Sequence, residues 1–227
     1  MFKEKEALLI DMNSTFMFGE DRFGEEENFS QYYQSIGGKY SSGYVNSLIR
    51  KVYSYLDEKY PLEEYRHCFP SLEEAIDACL DQKLEQSEKE KVINTFSYHE
   101  HGEVPEIYAQ CLKRLSKRFI LSLVIDIWAP KNMWVNTFQR LGIWELFSAH
   151  SFSSDHGMIK PSPKPFELVV DKLGVPKGKC LVIGDSIRRD LGGAVAAGLD
   201  CVLVGGAMSE EAVDSFPTLL DFQKLVA

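Results

Sequence analysis

Four short apolar runs constrain this chain more than anything else in it: "ALLID" at 7–11, "FILSLVI" at 119–125, "CLVIGD" at 180–185 and "CVLVGG" at 201–206. A strand with one wet face alternates apolar and polar residues, whereas a strand covered on both faces stays apolar throughout. These runs therefore predict the centre of a parallel sheet sandwiched by helices. A weaker fifth strand is expected at "SAHSFSS", 148–154. Between the later strands lie helical stripes. In "SPKPFELVVDKLG", Ser162 can cap, Pro163 fits the first turn, Phe166, Val169, Val170 and Leu173 share a face, and Gly174 suits the end. Similar stripes run through Tyr108, Cys111, Leu112 and Leu115, and through Ile187, Leu191, Ala194 and Val195. From about residue 105 strands and helices alternate, which gives an α/β fold with a doubly wound, Rossmann-like parallel sheet.

The segment 17–103 reads differently, with helical signals and almost no strand signal. "SGYVNSLIRKVYSYLDEKY" places Val45, Leu48, Ile49, Val52 and Leu56 on one stripe, and capping boxes are expected at Ser71 with Glu74 and at Ser87 with Glu90. The expected organisation is a core domain built from 1–16 and 104–227, with a helical domain, 17–103, inserted after the first strand. At 227 residues and 44% hydrophobic composition there is ample core for that arrangement.

A net charge of −9 leaves no broad basic surface for a nucleic-acid backbone, so no such partner is expected. Five cysteines, an odd number without CxxC spacing, suggest free thiols in a reducing compartment. The opening "MFKEKEALLI" is too short an apolar run for a secretory signal, and no later run suits a membrane span. A cytoplasmic protein without membrane association follows as the expectation.

In an open parallel sheet, ligands gather beyond the carboxyl ends of the strands. Three of the runs lead straight into an acid there: Asp11, with Asn13 two places on; Asp126; and Asp185, followed by Ser186. Lys160 in "GMIKPSP" precedes a helix. Two carboxylates from separate strand ends and a lysine would suit a magnesium ion and a phosphate oxygen. "HEH", His99–His101, lacks further ligands nearby and reads as a hinge or surface loop.

Taken together, "LLIDMNST", "MIKPSPKPFELVVDKLGV" and "CLVIGDSIRRDLGGAVAAGL" resemble, in order and at ordinary spacing, the nucleophile motif hhhhDxDx[TV], the lysine motif and the GDSxxxDxxGAxxAG motif of haloacid dehalogenase superfamily hydrolases with a helical cap after the first motif. The resemblance implies Asp11 as nucleophile, forming an aspartyl phosphate that water hydrolyses. It implies a magnesium site made by Asp11, Asp185 and the main-chain carbonyl of Asn13, Lys160 as the neutralising cation, and Asp190 as its orienting partner. In capped relatives the loop between the first two cap helices often selects substrate. Here that is "SIGGKYSSGY", 35–44, with Lys39 and Tyr40 placed to meet an anionic group.

The chain departs from the pattern twice. Position 13 normally holds the acid that protonates the leaving oxygen. Asn13 has no proton to give, at a typical cost of about 10²- to 10⁴-fold for a poor leaving group. The end of "FILSLVI" normally holds Ser or Thr to grip the phosphoryl group, and here Ile125 and Asp126 stand there. Ser122 is no replacement, since an odd offset in a strand points it to the other face. Three readings follow: a magnesium-dependent phosphohydrolase acting on a small phosphorylated substrate; a dehalogenase-like displacement at carbon; or a non-catalytic, regulatory phosphoester-binding protein.

Overall fold

The computed structural model describes residues 2–226. Strands β1 (Ala7–Ile10), β2 (Ile120–Ile125), β3 (Phe147–Phe152), β4 (Cys180–Gly184), β5 (Asp200–Leu203) and β6 (Asp214–Ser215) form one sheet in the order β3-β2-β1-β4-β5-β6. Every pairing is parallel. The order runs outward from β1 in both directions, so the connection reverses there and a crevice opens beyond its carboxyl end.

Ten α-helices accompany the sheet among the described residues: α1 (Phe29–Ser35), α2 (Ser42–Lys59), α3 (Leu72–Ala78), α4 (Gln86–Glu100), α5 (Glu106–Leu115), α6 (Asn132–Arg140), α7 (Ser153–His156), α8 (Lys164–Leu173), α9 (Gly192–Ala197) and α10 (Leu219–Val226). None is long and apolar enough to cross a membrane. The apolarity of the central strands now has its cause. Leu8 and Ile10 of β1 join one buried cluster with residues of α5, α6 and α10, while Ala7 and Leu9 join a second with residues of α8 and α9.

The helices between β1 and β2 divide. Helices α1 to α4 pack on one another, whereas α5 packs against α10 beside the sheet. Where the chain leaves and returns, Phe18 N–H donates to the Glu103 carbonyl (2.9 Å) and Glu103 N–H donates back (2.8 Å). The stripe expected on α2 is buried, with Val45, Ile49 and Leu56 at 0% exposure, and α3 carries the Ser71–Glu74 capping box. The second box does not form. Helix α4 begins two residues earlier than that motif requires, at Gln86, and the Ser87 hydroxyl donates to Glu85.

The run "CVLVGG" also stops short as a strand, because Gly205 and Gly206 take φ values of 78° and 89° and turn the chain. It then returns as the two-residue β6, which no sequence pattern announced.

Candidate active site

Asp11 stays in register with β4 after β1 ends, donating its backbone N–H to the Ile183 carbonyl (2.8 Å). A tight turn follows, in which the Met12 carbonyl accepts from the N–H groups of Thr15, Phe16 and Met17. Lys160, four residues before helix α8, reaches across to it. Its Nζ donates to Asp11 Oδ1 (2.5 Å), Asp190 Oδ1 (2.7 Å) and the Val124 carbonyl (3.2 Å). All three charged residues are buried, at 7%, 3% and 1% exposure for Asp11, Lys160 and Asp190.

Asp190 gets this close because residue 184 is glycine: a Cβ there would lie 2.3 Å from the Asp190 carboxyl carbon. Its second oxygen accepts from Ser186 N–H (3.0 Å). Asp185 follows β4 directly, and carboxylate oxygens of Asp11, Asp185 and Asp190 lie within 4.8 Å of one another.

Three acids around one ammonium leave the cluster short of positive charge. Burial raises the Asp11 carboxyl from its ordinary range, Lys160 opposes the rise, and Asp190 and Asp185 add to it. Asp185 is raised by burial and by Asp190. Burial alone would lower the Lys160 ammonium, but Asp11, Asp190 and Asp126 outweigh it, so the lysine stays charged. Asp185 Oδ1 is buried without a partner. A free carboxylate oxygen beside a second carboxylate, all donors being hard oxygens, fits magnesium. Asp190 is the poorer ligand, since Lys160 and Ser186 already occupy both of its oxygens.

A family model described as haloacid dehalogenase-like hydrolase matches residues 5–198. The chain belongs to that family. This haloacid dehalogenase-like hydrolase is 28% identical over 133 residues to the 5-amino-6-(5-phospho-D-ribitylamino)uracil phosphatase YigB of Escherichia coli K12, a match covering 58% of this chain and 53% of that one. The chain thus spans about half the length of that curated relative.

Its fold is similar to those of a 2-haloacid dehalogenase from Pseudomonas syringae pv. Tomato DC3000 (18% identity, 98% of each chain, TM-score 0.67) and an HAD phosphatase from Thermococcus onnurineus (20%, 98% of each, 0.62). It is similar also to the putative HAD-hydrolase YfnB of Bacillus subtilis bound to magnesium (15%, 99% of each, 0.62).

The remaining expected residues of this hydrolase are placed unevenly. Asn13 is half-buried beside Asp11 in sequence, its side-chain oxygen unpartnered. Ile125 must be corrected as a substrate contact: it is 2% exposed, with its side chain in the apolar cluster shared with α5 and α6. Ser122 is spent on the Leu8 carbonyl (2.9 Å).

Asp126 does reach the site, but as an acceptor: Oδ2 takes the Lys160 backbone N–H (2.9 Å) and the Tyr60 hydroxyl (2.8 Å). Lys39 and Tyr40 are not brought to Asp11. Lys39 N–H donates to Glu88 (3.1 Å) at the start of α4 and its ammonium faces Glu85 (3.8 Å), while Tyr40 packs against Tyr33 and Tyr44. The chain that follows α2 descends onto the core instead. Besides the Tyr60 contact, the Pro61 carbonyl accepts from Arg188 (2.5 Å), the Arg66 carbonyl from Ile159 N–H (3.0 Å), and Phe69 N–H donates to Gly157 (2.8 Å).

Two residues escaped the sequence reading. Glu100, within "HEH", is 4% exposed and accepts from the N–H groups of Trp128 (2.5 Å) and Ala129 (2.8 Å), fixing the loop after β2. Tyr60 closes α2, and nothing in its sequence surroundings separates it from the packing tyrosines.

Proposed function

We propose that this hydrolase is a magnesium-dependent phosphohydrolase acting on a small phosphorylated metabolite, with Asp11 as nucleophile. The observation that carries the reading is Lys160 bridging Asp11 and Asp190 while an unpaired oxygen of Asp185 lies beside them. A displacement at carbon has no use for that extra acid. The E. coli relative, named as a phosphatase of a phosphorylated small molecule, supports the same class.

Magnesium held by Asp11, Asp185 and the Asn13 carbonyl would neutralise the phosphoryl oxygens. The protein's own groups do the rest. Lys160 holds Asp11 Oδ1, leaving Oδ2, whose partner is a long 3.3 Å contact from the Thr15 hydroxyl, as the freer oxygen. As that oxygen bonds to phosphorus, the bond to the leaving oxygen breaks and the electron pair departs with it. Water then attacks phosphorus, releasing phosphate and restoring the carboxylate. Asn13 donates an N–H to the leaving oxygen but no proton, which favours leaving groups that depart as stable anions. Segment 17–103 acts as the cap, entering through the residues after α2.

The test is a paired assay of wild type and Asn13→Asp on an aryl phosphate, acetyl phosphate and a sugar phosphate, with and without magnesium. Asn13→Asp is expected to increase turnover most on the sugar phosphate, and Asp11→Asn to abolish turnover on all three. Equal, undetectable turnover in wild type and Asn13→Asp would defeat the proposal. Halide release from a 2-haloacid, indifferent to chelator, would replace it with the carbon-centred reaction.

A further inference from the structure

We infer that Arg189 is the residue that receives the substrate's phosphoryl group, taking over from the hydroxyl missing at the end of β2. The inference rests on the phosphohydrolase reading and on a count of the hydrogen-bond donors around Asp11. Lys160 is already committed: an ammonium has three protons, and Asp11, Asp190 and the Val124 carbonyl take them. The end of β2 adds no side-chain donor, and three N–H groups of the loop after it are taken. Ile125 has no donor in its side chain, Asp126 offers a carboxylate, Ile127 N–H goes to the Ser153 hydroxyl (2.9 Å), and Trp128 and Ala129 N–H go to Glu100. A dianionic phosphoryl group arriving at Asp11 therefore meets the Asn13 amide and main-chain N–H groups there, but no uncommitted cation on Lys160 and no hydroxyl at the end of β2.

Arg189 has donors in excess. It sits directly before Asp190 in the wide turn Ile187–Leu191, and its Nη1 donates to the Tyr60 hydroxyl (3.4 Å), itself 2.8 Å from Asp126. That chain of contacts continues to the Lys160 backbone N–H, so the guanidinium is linked to the lysine site through Tyr60 and Asp126, where the residues after α2 meet the core. A guanidinium carries five N–H donors, and the Tyr60 bond is long. Its charge acts on Asp11, Asp21, Asp126, Asp185 and Asp190, yet among the described residues no carboxylate oxygen lies within 4 Å of it to form an ion pair. A half-buried cation surrounded by acids, but paired with none, retains its fork for a tetrahedral oxyanion. The contact with Tyr60 would also couple anion binding to closure of the cap.

Isothermal titration with inorganic phosphate, in magnesium-containing buffer, tests this on wild type, Arg189→Ala, Arg189→Lys and a charge control at the exposed Lys83, Lys83→Ala. Circular dichroism checks that each is folded. Removing Arg189 is expected to weaken phosphate binding by about 10- to 100-fold, the range for a lost charged hydrogen bond, and to raise KM for acetyl phosphate in parallel. Arg189→Lys should recover part of the loss, since it keeps the charge without the fork. Lys83→Ala should leave affinity unchanged.

Phosphate affinity equal in wild type and Arg189→Ala overturns the inference and leaves the phosphohydrolase reading standing, provided wild type turns over. Loss of affinity at Arg189 in a protein that hydrolyses none of the esters supports the anion site and removes the hydrolase reading. Failure of wild type to bind phosphate at all overturns the inference directly.

Discussion

Lys160 shows how much one side chain carries. It is buried against two carboxylates, so its removal leaves both of them uncompensated in a place from which water is excluded. Breaking a buried pair by deleting one partner typically costs about 3–5 kcal/mol. Lys160→Met should therefore lower stability by about that amount, read as a shift of the urea midpoint, as well as abolish turnover. Adding Asp190→Asn to Lys160→Met should recover part of the stability and none of the activity; no recovery would mean that the charges were not the source of the loss.

Asp11 and Asp185 were legible in the sequence because each follows a strand directly, and Lys160 because it precedes a helix; Asp190 came only from the resemblance of its motif. Tyr60 and Glu100 were not, since their roles depend on which parts of the insertion touch which loop of the core. A local pattern holds no information about that.

At the scale of elements, what could be read depended on periodicity. β1, β2, β4 and β5 were plain because burial on both faces removes polar residues from a strand. β6 was invisible because two residues carry no period. α8 was legible from Ser162 to Gly174, and the structure closes that helix with Gly174 at φ 64°. The start of α4 was misread because Ser87 and Glu90 match a capping box that the helix does not use.

Two glycines explain why α9 and the turn before it lie so near β4 and α8. A Cβ on Gly184 meets Asp190, and a Cβ on Gly193 comes 2.4 Å from the Phe166 ring. Gly193→Ala should destabilise by about 1–3 kcal/mol through overpacking, with KM little changed. Gly184→Ala should instead cost turnover first, because the group it displaces is the partner of Lys160. Thermal unfolding together with kcat for both variants separates the two outcomes, and a Gly184→Ala enzyme with wild-type kcat would show that the exact seat of Asp190 is immaterial.

For the whole molecule, the question is what joins the insertion to the sheet. One apolar cluster runs through both, and the Phe18–Glu103 bridge ties the crossing strands, but the most pH-sensitive link is Glu100. Burial pushes its carboxyl up to about 8, with Asp21 adding to the rise and the Trp128 and Ala129 N–H groups opposing it. In the unfolded chain this group titrates near 4.5. Between those values the folded protein holds a proton that the unfolded chain has released, so raising pH through this window favours unfolding.

Asp21, raised to about 6 by burial and Glu20, acts in the same direction at lower pH. His101, lowered to about 4 by burial and by Arg22 and Arg140, acts in the opposite one below its ordinary 6.5. Asp11, raised by burial to about 7, also acts in the same direction as Glu100 up to that value, so the contribution of Glu100 is clearest from pH 7 to 8. There the melting temperature should fall with rising pH, and Glu100→Gln, which keeps an acceptor for the loop but cannot ionise, should fall less steeply. Parallel slopes for the two proteins, measured in chelator so that no cation shifts the acids at Asp11, would show that the proton sits elsewhere and that the tie between α4 and the loop after β2 is indifferent to pH.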